Sequence, residues 1–215
     1  MYREGESMNL NSLKELGFNP KTVFDIGAHK GQFYSWAKKV WPDAFIWMVE
    51  ANDCHENILK NIVSSNNDRY TIATIGDKER EVNFYTRSDK PWTEGASYYK
   101  ESNYWDIPHL VMEIPKILQP LDNLFTNDSH FDLIKIDTQG SELDIITGGK
   151  NICKKADYLL LEVALTEYNE KAPLKNEVMQ FMENLGFEDL MVIGEHIDHE
   201  GNFVQEDIVF KNNNK

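Results

Sequence analysis

Cysteine is scarce in this chain of 215 residues: Cys54 and Cys153 stand far apart, with no C-x-x-C spacing. That excludes a disulfide framework and reads as a reduced chain with structural thiols. Positive charge is also short, with 22 Lys and Arg against 36 Asp and Glu and a net charge of −14. The basic residues gather no further than pairs such as Lys38-Lys39 and Lys154-Lys155. Long-range steering of nucleic acid or an anionic membrane is therefore disfavoured, and no nucleic-acid partner is expected. No apolar run reaches a membrane-spanning length, and Met1-Tyr-Arg-Glu-Gly-Glu is no signal peptide. A soluble, cytoplasmic protein without membrane insertion is expected. Two nucleotide motifs are missing as well. The spacing G-x-G-x-x-G would need glycine where His29 stands, and Gln32-Phe33 follows Gly31 where a phosphate loop has Lys-Ser/Thr. A pyrophosphate reader is excluded on both counts.

What is present begins at Thr22. Thr22 to Ile26 is a β-branched and aromatic run, followed by a turn at Gly27-Ala-His-Lys-Gly31, a helix from about Gln32 to Trp41 stopped by Pro42, and a second apolar run closed by Glu50. A strand-terminal acid after a glycine-loop βα unit can grip two ribose hydroxyls, while the glycines let the backbone approach a ligand. The stretch thus predicts a nucleoside-cofactor site. Its spacing D-x-G-x-x-x-G, with Asp25, Gly27 and Gly31, followed by Glu50, resembles motifs I and II of class I S-adenosylmethionine (SAM)-dependent methyltransferases.

The rest of the chain alternates in the same way. A short helix near Asn11 to Leu16 precedes the first strand, and Asp53 is the expected N-cap of a helix over His55 to Ser64. Tyr70 to Ile75 reads as one strand and Glu81 to Thr86 as a half-buried edge strand. Phe131 to Asp137, Asp157 to Val163, Phe187 to Ile193 and Asp207 to Lys211 read as strands; Ser141 to Thr147 and Leu174 to Leu185 read as helices. Strands alternating with helices predict an α/β fold, a doubly wound and mostly parallel seven-stranded sheet, with the last two strands as an antiparallel hairpin. The length suits one domain, residues 1–215, with 1–20 as a helical cover. Residues 87–119 break the rhythm. Their prolines and the cluster Trp92, Tyr98, Tyr99, Tyr104 and Trp105 predict an acceptor lid or insertion.

The segment Ile134-Lys-Ile-Asp-Thr-Gln-Gly-Ser-Glu142, together with Val23 to Gly31, Leu121 to Phe125 and Leu159 to Val163, resembles the FkbM-type family of methyltransferases. The resemblance implies an enzyme that methylates a hydroxyl of a sugar, glycan or polyketide-like small molecule with SAM. It implies Asp25, Gly27, Ala28 and Gly31 around the methionine part of SAM, Glu50 on the ribose, Asn52 supporting the ribose or adenine edge, and Asp77 at the adenine amino group. Asp137 is the catalytic candidate, because methyl transfer to an alcohol needs an in-line approach and a destination for the hydroxyl proton. Glu142 and Glu162 are acceptor candidates at the same sheet edge, and Trp92 and Trp105 could stack on a sugar ring. A structural ion pair is expected of Lys135, and a backbone contact of His29. His196 and His199 form too weak a pattern for zinc. Asp137, Glu142 and Glu162 could together offer oxygen ligands to a divalent cation, but nothing in their spacing demands it, so no metal site is assigned. Two readings stay open beside this one: a nitrogen-directed methyltransferase, or a catalytically silent SAM-binding scaffold. Oligomeric state is not legible.

Overall fold

A computed structural model describes residues 8–125, 130–198 and 200–215. In chain order the elements are α1 (Leu10–Glu15), β1 (Thr22–Ile26), α2 (Gln32–Val40), β2 (Phe45–Glu50), α3 (Glu56–Val63), β3 (Arg69–Ile72), β4 (Thr74–Gly76), β5 (Arg80–Arg87) and β6 (Val111–Pro120). Then follow α4 (Leu121–Leu124), β7 (Leu133–Ile136), α5 (Glu142–Gly148), α6 (Lys150–Cys153), β8 (Tyr158–Ala164), α7 (Lys175–Leu185), β9 (Phe187–Ile197) and β10 (Phe203–Asn212). Seven strands form the main sheet in the order β3-β2-β1-β7-β8-β10-β9. The pairs from β3 to β8 are parallel, and β10 runs antiparallel to both β8 and β9. The doubly wound sheet and its terminal hairpin are therefore as the alternation predicts. Among the described residues no helix is long and apolar enough to cross a membrane.

Alternation along each strand divides the core between the two faces of the sheet. Phe24, Ile26, Ile134, Ile136, Leu159 and Leu161 pack on one side with Ile145, Ile152 and Met182. Val23, Ile46, Met48, Leu133 and Leu160 pack on the other with Leu13, Phe33, Ala37 and Leu59. Asp68 pins this second face. Its carboxylate takes the Ile46 N–H at 2.8 Å, the Tyr34 hydroxyl at 2.8 Å and the Lys38 ammonium at 2.8 Å. Burial together with Asp68 pushes the Tyr34 phenol up to about 12. Asp68→Ala strands a buried N–H and should lower unfolding free energy by about 2–3 kcal/mol in urea titrations. Spectrophotometric titration of Tyr34 should fall back toward the ordinary tyrosine range. A loss under about 1 kcal/mol, or an unmoved tyrosine, would show that solvent replaces the carboxylate.

Two sequence expectations change here. Tyr70 to Ile75 is not one strand: β3 ends at Ile72, and β4 leaves the main sheet to pair with β6. Ala73 is the hinge, its N–H donated to the Glu50 carbonyl at 2.9 Å. Nor is 87–119 irregular throughout. Val111–Pro120 is a strand laddered antiparallel to β5 from Arg87↔Val111 to Arg80↔Leu118. Pro115 disguises it, yet β4 pairs with β6 only from Leu118 to Pro120, so Pro115 needs no N–H toward a second neighbour. The lid candidate shrinks to the loop 88–110. That loop is held down by the mutual backbone bonds of Tyr85 with Ser97 and by the bridge between Glu101 and Asn169.

Candidate functional site

The carboxyl ends of β1, β2, β7 and β8 open on one edge of the sheet, the side where open α/β folds bind ligands. A cavity of about 1320 Å³ lies there, roofed by the 88–110 loop. Small-molecule sites commonly run to roughly 1,000 Å³, so this one has room for more than a single compact ligand.

At one end, Gly27 and Ala28 leave β1 with both N–H groups donated to the Val49 carbonyl, at 2.9 and 3.0 Å. Gly27 has φ +84°, and a Cβ there would run into the Asp137 carbonyl. The loops after β1 and β7 meet because position 27 carries no side chain. Glu50, at the tip of β2, is 7% exposed. Its Oε2 accepts the His29 N–H at 2.7 Å and its Oε1 accepts the Asn52 N–H at 2.6 Å. Each oxygen keeps a second lone pair for a hydroxyl. Burial holds this carboxyl above its ordinary value, and the two N–H bonds offset only part of that rise. Val49, Ala73 and Ile75 form an apolar wall beside it.

Several sequence-predicted ligands lie elsewhere. Asn52 is outside the cavity lining: its Oδ1 accepts the Cys54 N–H at 3.3 Å, the capping role read for Asp53, and its Nδ2 donates to the Pro91 carbonyl at 2.7 Å. Asp77 pairs with Arg80 at 3.2 Å on the turn after β4, while Ile75 takes the cavity position. Gly31 starts α2 with φ +81° and packs under Ile62 without reaching the cavity. Asp25 is fully buried below the cavity floor, 3.3 Å from the Lys135 ammonium.

Lys135 organises the centre. It points to the α2 side of the sheet, over the Phe33 ring, and reaches Asp25, Asp137 at 3.2 Å and the Gly27 carbonyl at 3.4 Å. Burial would depress its ammonium, but the two carboxylates hold it above the ordinary lysine range. Asp137 lines the cavity just beyond β7. Burial pushes its carboxyl up, yet Lys135, Glu162 and Gln139 bring it below the usual value. Asp137 is thus an ionised, weakly basic group.

Glu142 does not line the cavity. Its Oε1 accepts the Thr138 N–H at 3.0 Å, the Thr138 hydroxyl at 3.2 Å and the Gly140 N–H at 3.2 Å, closing the loop after β7 on itself. Burial pushes it to about 7. Glu162 does line the cavity, with Oε2 accepting from the amides of Gln139 and Gln205, the latter at 2.8 Å. Burial and the carboxylates of Asp137, Asp207 and Glu142 hold Glu162 well above the ordinary range.

The aromatic expectation fares differently. The Trp92 ring is exposed and outside the lining; its carbonyl accepts from His29 Nε2 at 2.9 Å. The Trp105 side chain and His199 lie outside the described residues. Tyr98 lines the cavity instead, its hydroxyl donated with that of Tyr99 to Asp144 at 3.1 Å. Gln139, Gln205 and His196 also line the site and had no signal in the sequence as a group. Their juxtaposition depends on the register of β10 against β8 and β9, which no local motif encodes.

A family model described as the methyltransferase FkbM domain matches residues 25–188. No curated protein matches the chain by sequence. Among solved structures, TehB from Haemophilus influenzae is similar at 11% identity and a TM-score of 0.57, covering 98% of this chain and 63% of its own. The chain therefore spans less than two thirds of that relative. A putative RNA methyltransferase from Pyrococcus horikoshii is similar at 11% identity and a TM-score of 0.55, covering 94% of this chain and 81% of its own. Magnesium protoporphyrin IX methyltransferase from Synechocystis PCC 6803, solved with bound SAM, is similar at 10% identity and a TM-score of 0.53, covering 94% of this chain and 76% of its own. At such identities these likenesses concern the fold.

Proposed function

The chain belongs to the FkbM methyltransferase family, a SAM-dependent family, and from that membership we propose that it methylates a hydroxyl of a sugar, glycan or polyketide-like small molecule. One observation carries the reading: a single cavity joins Glu50 and the Gly27 turn at one end to Asp137, Gln139, Glu162 and Gln205 at the other. Carboxyl and amide groups in such density suit an acceptor with several hydroxyls. The chain acts in this reading as one catalytic domain, with the 88–110 loop as its acceptor lid.

The lining fits SAM. Glu50 has two oxygens for the ribose hydroxyls, Val49, Ala73 and Ile75 offer a slot for adenine, and the Gly27 turn lets the backbone approach the methionine end. When bound, SAM supplies an electrophilic methyl group on a sulfonium. The protein's own part is positioning. Lys135 fixes Asp137 and the Gly27 carbonyl together, so the floor under both ligands moves as one piece. Asp137 orients the acceptor hydroxyl by accepting its hydrogen bond, in line with the methyl group. Its low basicity makes positioning its contribution, and the hydroxyl proton passes to solvent as the methyl group leaves sulfur for oxygen.

The test is calorimetry with SAM and NAD, then a screen of hydroxylated and amino acceptors read by methyl transfer. SAM binding without NAD binding, and transfer to hydroxyls, is the expected result. Transfer to nitrogen alone refutes the hydroxyl assignment, and SAM binding with no transfer to either class points to a silent binder. Asp137→Asn should lower kcat about tenfold or more while SAM affinity holds; lost SAM affinity would make Asp137 a cofactor ligand.

A further inference from the structure

Beyond Glu162, on the side away from Asp137, three strands bring a nitrogen and two carboxylates to one point. Glu162 lies on β8, His196 on β9 and Asp207 on β10, and all three are nine-tenths buried or more. His196 Nε2 is 3.1 Å from Asp207 Oδ2 and 3.7 Å from Glu162 Oε1, and the three atoms lie within 4.8 Å of one another. Donor atoms that share an ion at about 2.1 Å stand roughly 3 to 3.5 Å apart; the two distances from His196 fall at or close to that range, and Glu162 and Asp207 close on each other to complete it.

The surroundings are built to keep that convergence. Asp207 and Glu162 face each other in the β10–β8 register, on rigid sheet and not on a loop. Opposite Asp207 on β9 stands Gly194, and a Cβ there would strike the Asp207 carboxylate. The β9–β10 register shifts on both sides of this point, between Phe203 and Gln205 and again between Asp207 and Ile208. Bulges of this kind re-aim side chains beside functional sites.

We propose that Glu162, His196 and Asp207 bind one divalent cation of the zinc or manganese class, leaving an open coordination position toward the cavity. One imidazole nitrogen with two carboxylate oxygens is a donor set for such ions, and three protein ligands leave room for an outside oxygen. Glu162 and His196 line the cavity and Asp207 backs them, so the open side faces the acceptor end. Resting on the hydroxyl reading, the cation's role is to bind and orient a second oxygen of the acceptor through its open position, while Asp137 holds the reacting hydroxyl.

Full-length protein dialysed against a chelator is titrated with ZnCl2 and with MnCl2 by calorimetry, without SAM or acceptor. Wild type should take up one equivalent of at least one of the two ions. His196→Ala and Asp207→Asn should each weaken uptake about a hundredfold or more, with unchanged circular dichroism and SAM affinity. Asp157→Asn, in the separate, less buried grouping of His130, Asp132 and Asp157, should bind as wild type. No uptake by wild type overturns the site, and so does wild-type uptake in both His196→Ala and Asp207→Asn. Should His196→Ala fail to fold, Glu162→Gln takes its place under the same expectation. Methyl transfer plays no part in this titration: failure here leaves the hydroxyl reading standing, and uptake by a protein that methylates no hydroxyl refutes that reading and not the site.

Discussion

Lys135→Met should lower the unfolding free energy at neutral pH by about 3–5 kcal/mol, the scale seen when one partner of a buried ion pair is removed. The ammonium lies 3.3 Å from Asp25 and 3.2 Å from Asp137, and its side chain is 4% exposed. A thioether of similar length fills the space but leaves two carboxylates facing each other below the cavity. The pH dependence separates this account from lost packing. With Lys135 present, Asp137 is held below its ordinary value, so its contribution is present at neutral pH and is lost as pH falls through that depressed value. Burial already holds Asp25 above its ordinary value with Lys135 present; without Lys135 both carboxyls rise further. The native state then binds protons more tightly than the unfolded chain, and the variant recovers stability as pH falls. Urea unfolding at pH 7 and pH 5 should show the gap to wild type narrowing. Adding Asp137→Asn to the variant should restore part of the loss at pH 7. A gap that is equal at both pH values, and indifferent to the second substitution, would reduce Lys135 to a space-filling residue.

Lys135 also shows how far a sequence carries. The strand Ile134-Lys-Ile-Asp137 is legible as buried, and a lysine in it demands a carboxylate; which carboxylates depends on β1 lying beside β7. The sheet could be read because parallel strands buried on both faces leave long apolar runs. The place of Glu50 in the cavity could be read because an acid closing such a run stands at the ligand-binding edge of the sheet. Other placements were not legible. Asn52, Asp77 and Glu142 sit in the expected order along the chain, but their side chains engage protein partners: Cys54 and the distant Pro91, Arg80, and the Thr138 turn. The short side chains of Asn52 and Asp77 bond to groups two and three positions on, as such residues do beside turns, and sequence order does not reveal it. His196 fails in the opposite direction. Its near neighbour His199 suggested a weak pair, whereas its partners Glu162 and Asp207 come from two other strands. Cross-strand chemistry is invisible until a register exists.

Glu50→Ala should weaken SAM binding about a hundredfold or more, and S-adenosylhomocysteine binding by the same factor. Hydrogen bonds to a charged group contribute roughly 1.5–3 kcal/mol each, and a carboxylate that holds two ribose hydroxyls loses both at once. Burial has already raised the free energy of this carboxylate, and the N–H groups of His29 and Asn52, at 2.7 and 2.6 Å, are what aim its two oxygens. Removing it also leaves those two donors without their acceptor, so the Gly27-to-Gly31 turn should loosen together with the ribose site. Glu50→Gln is the sharper variant. An amide keeps the volume but offers one oxygen, so its NH2 must face either the His29 or the Asn52 N–H. It should lose nearly as much affinity as alanine, whereas a side chain that merely filled space would lose little. The equal loss for the two nucleosides carries the assignment, since they share the ribose and differ at sulfur. A loss confined to SAM would move Glu50 to the methyl end. A loss below about threefold for both would leave the ribose to the backbone of the Gly27 turn.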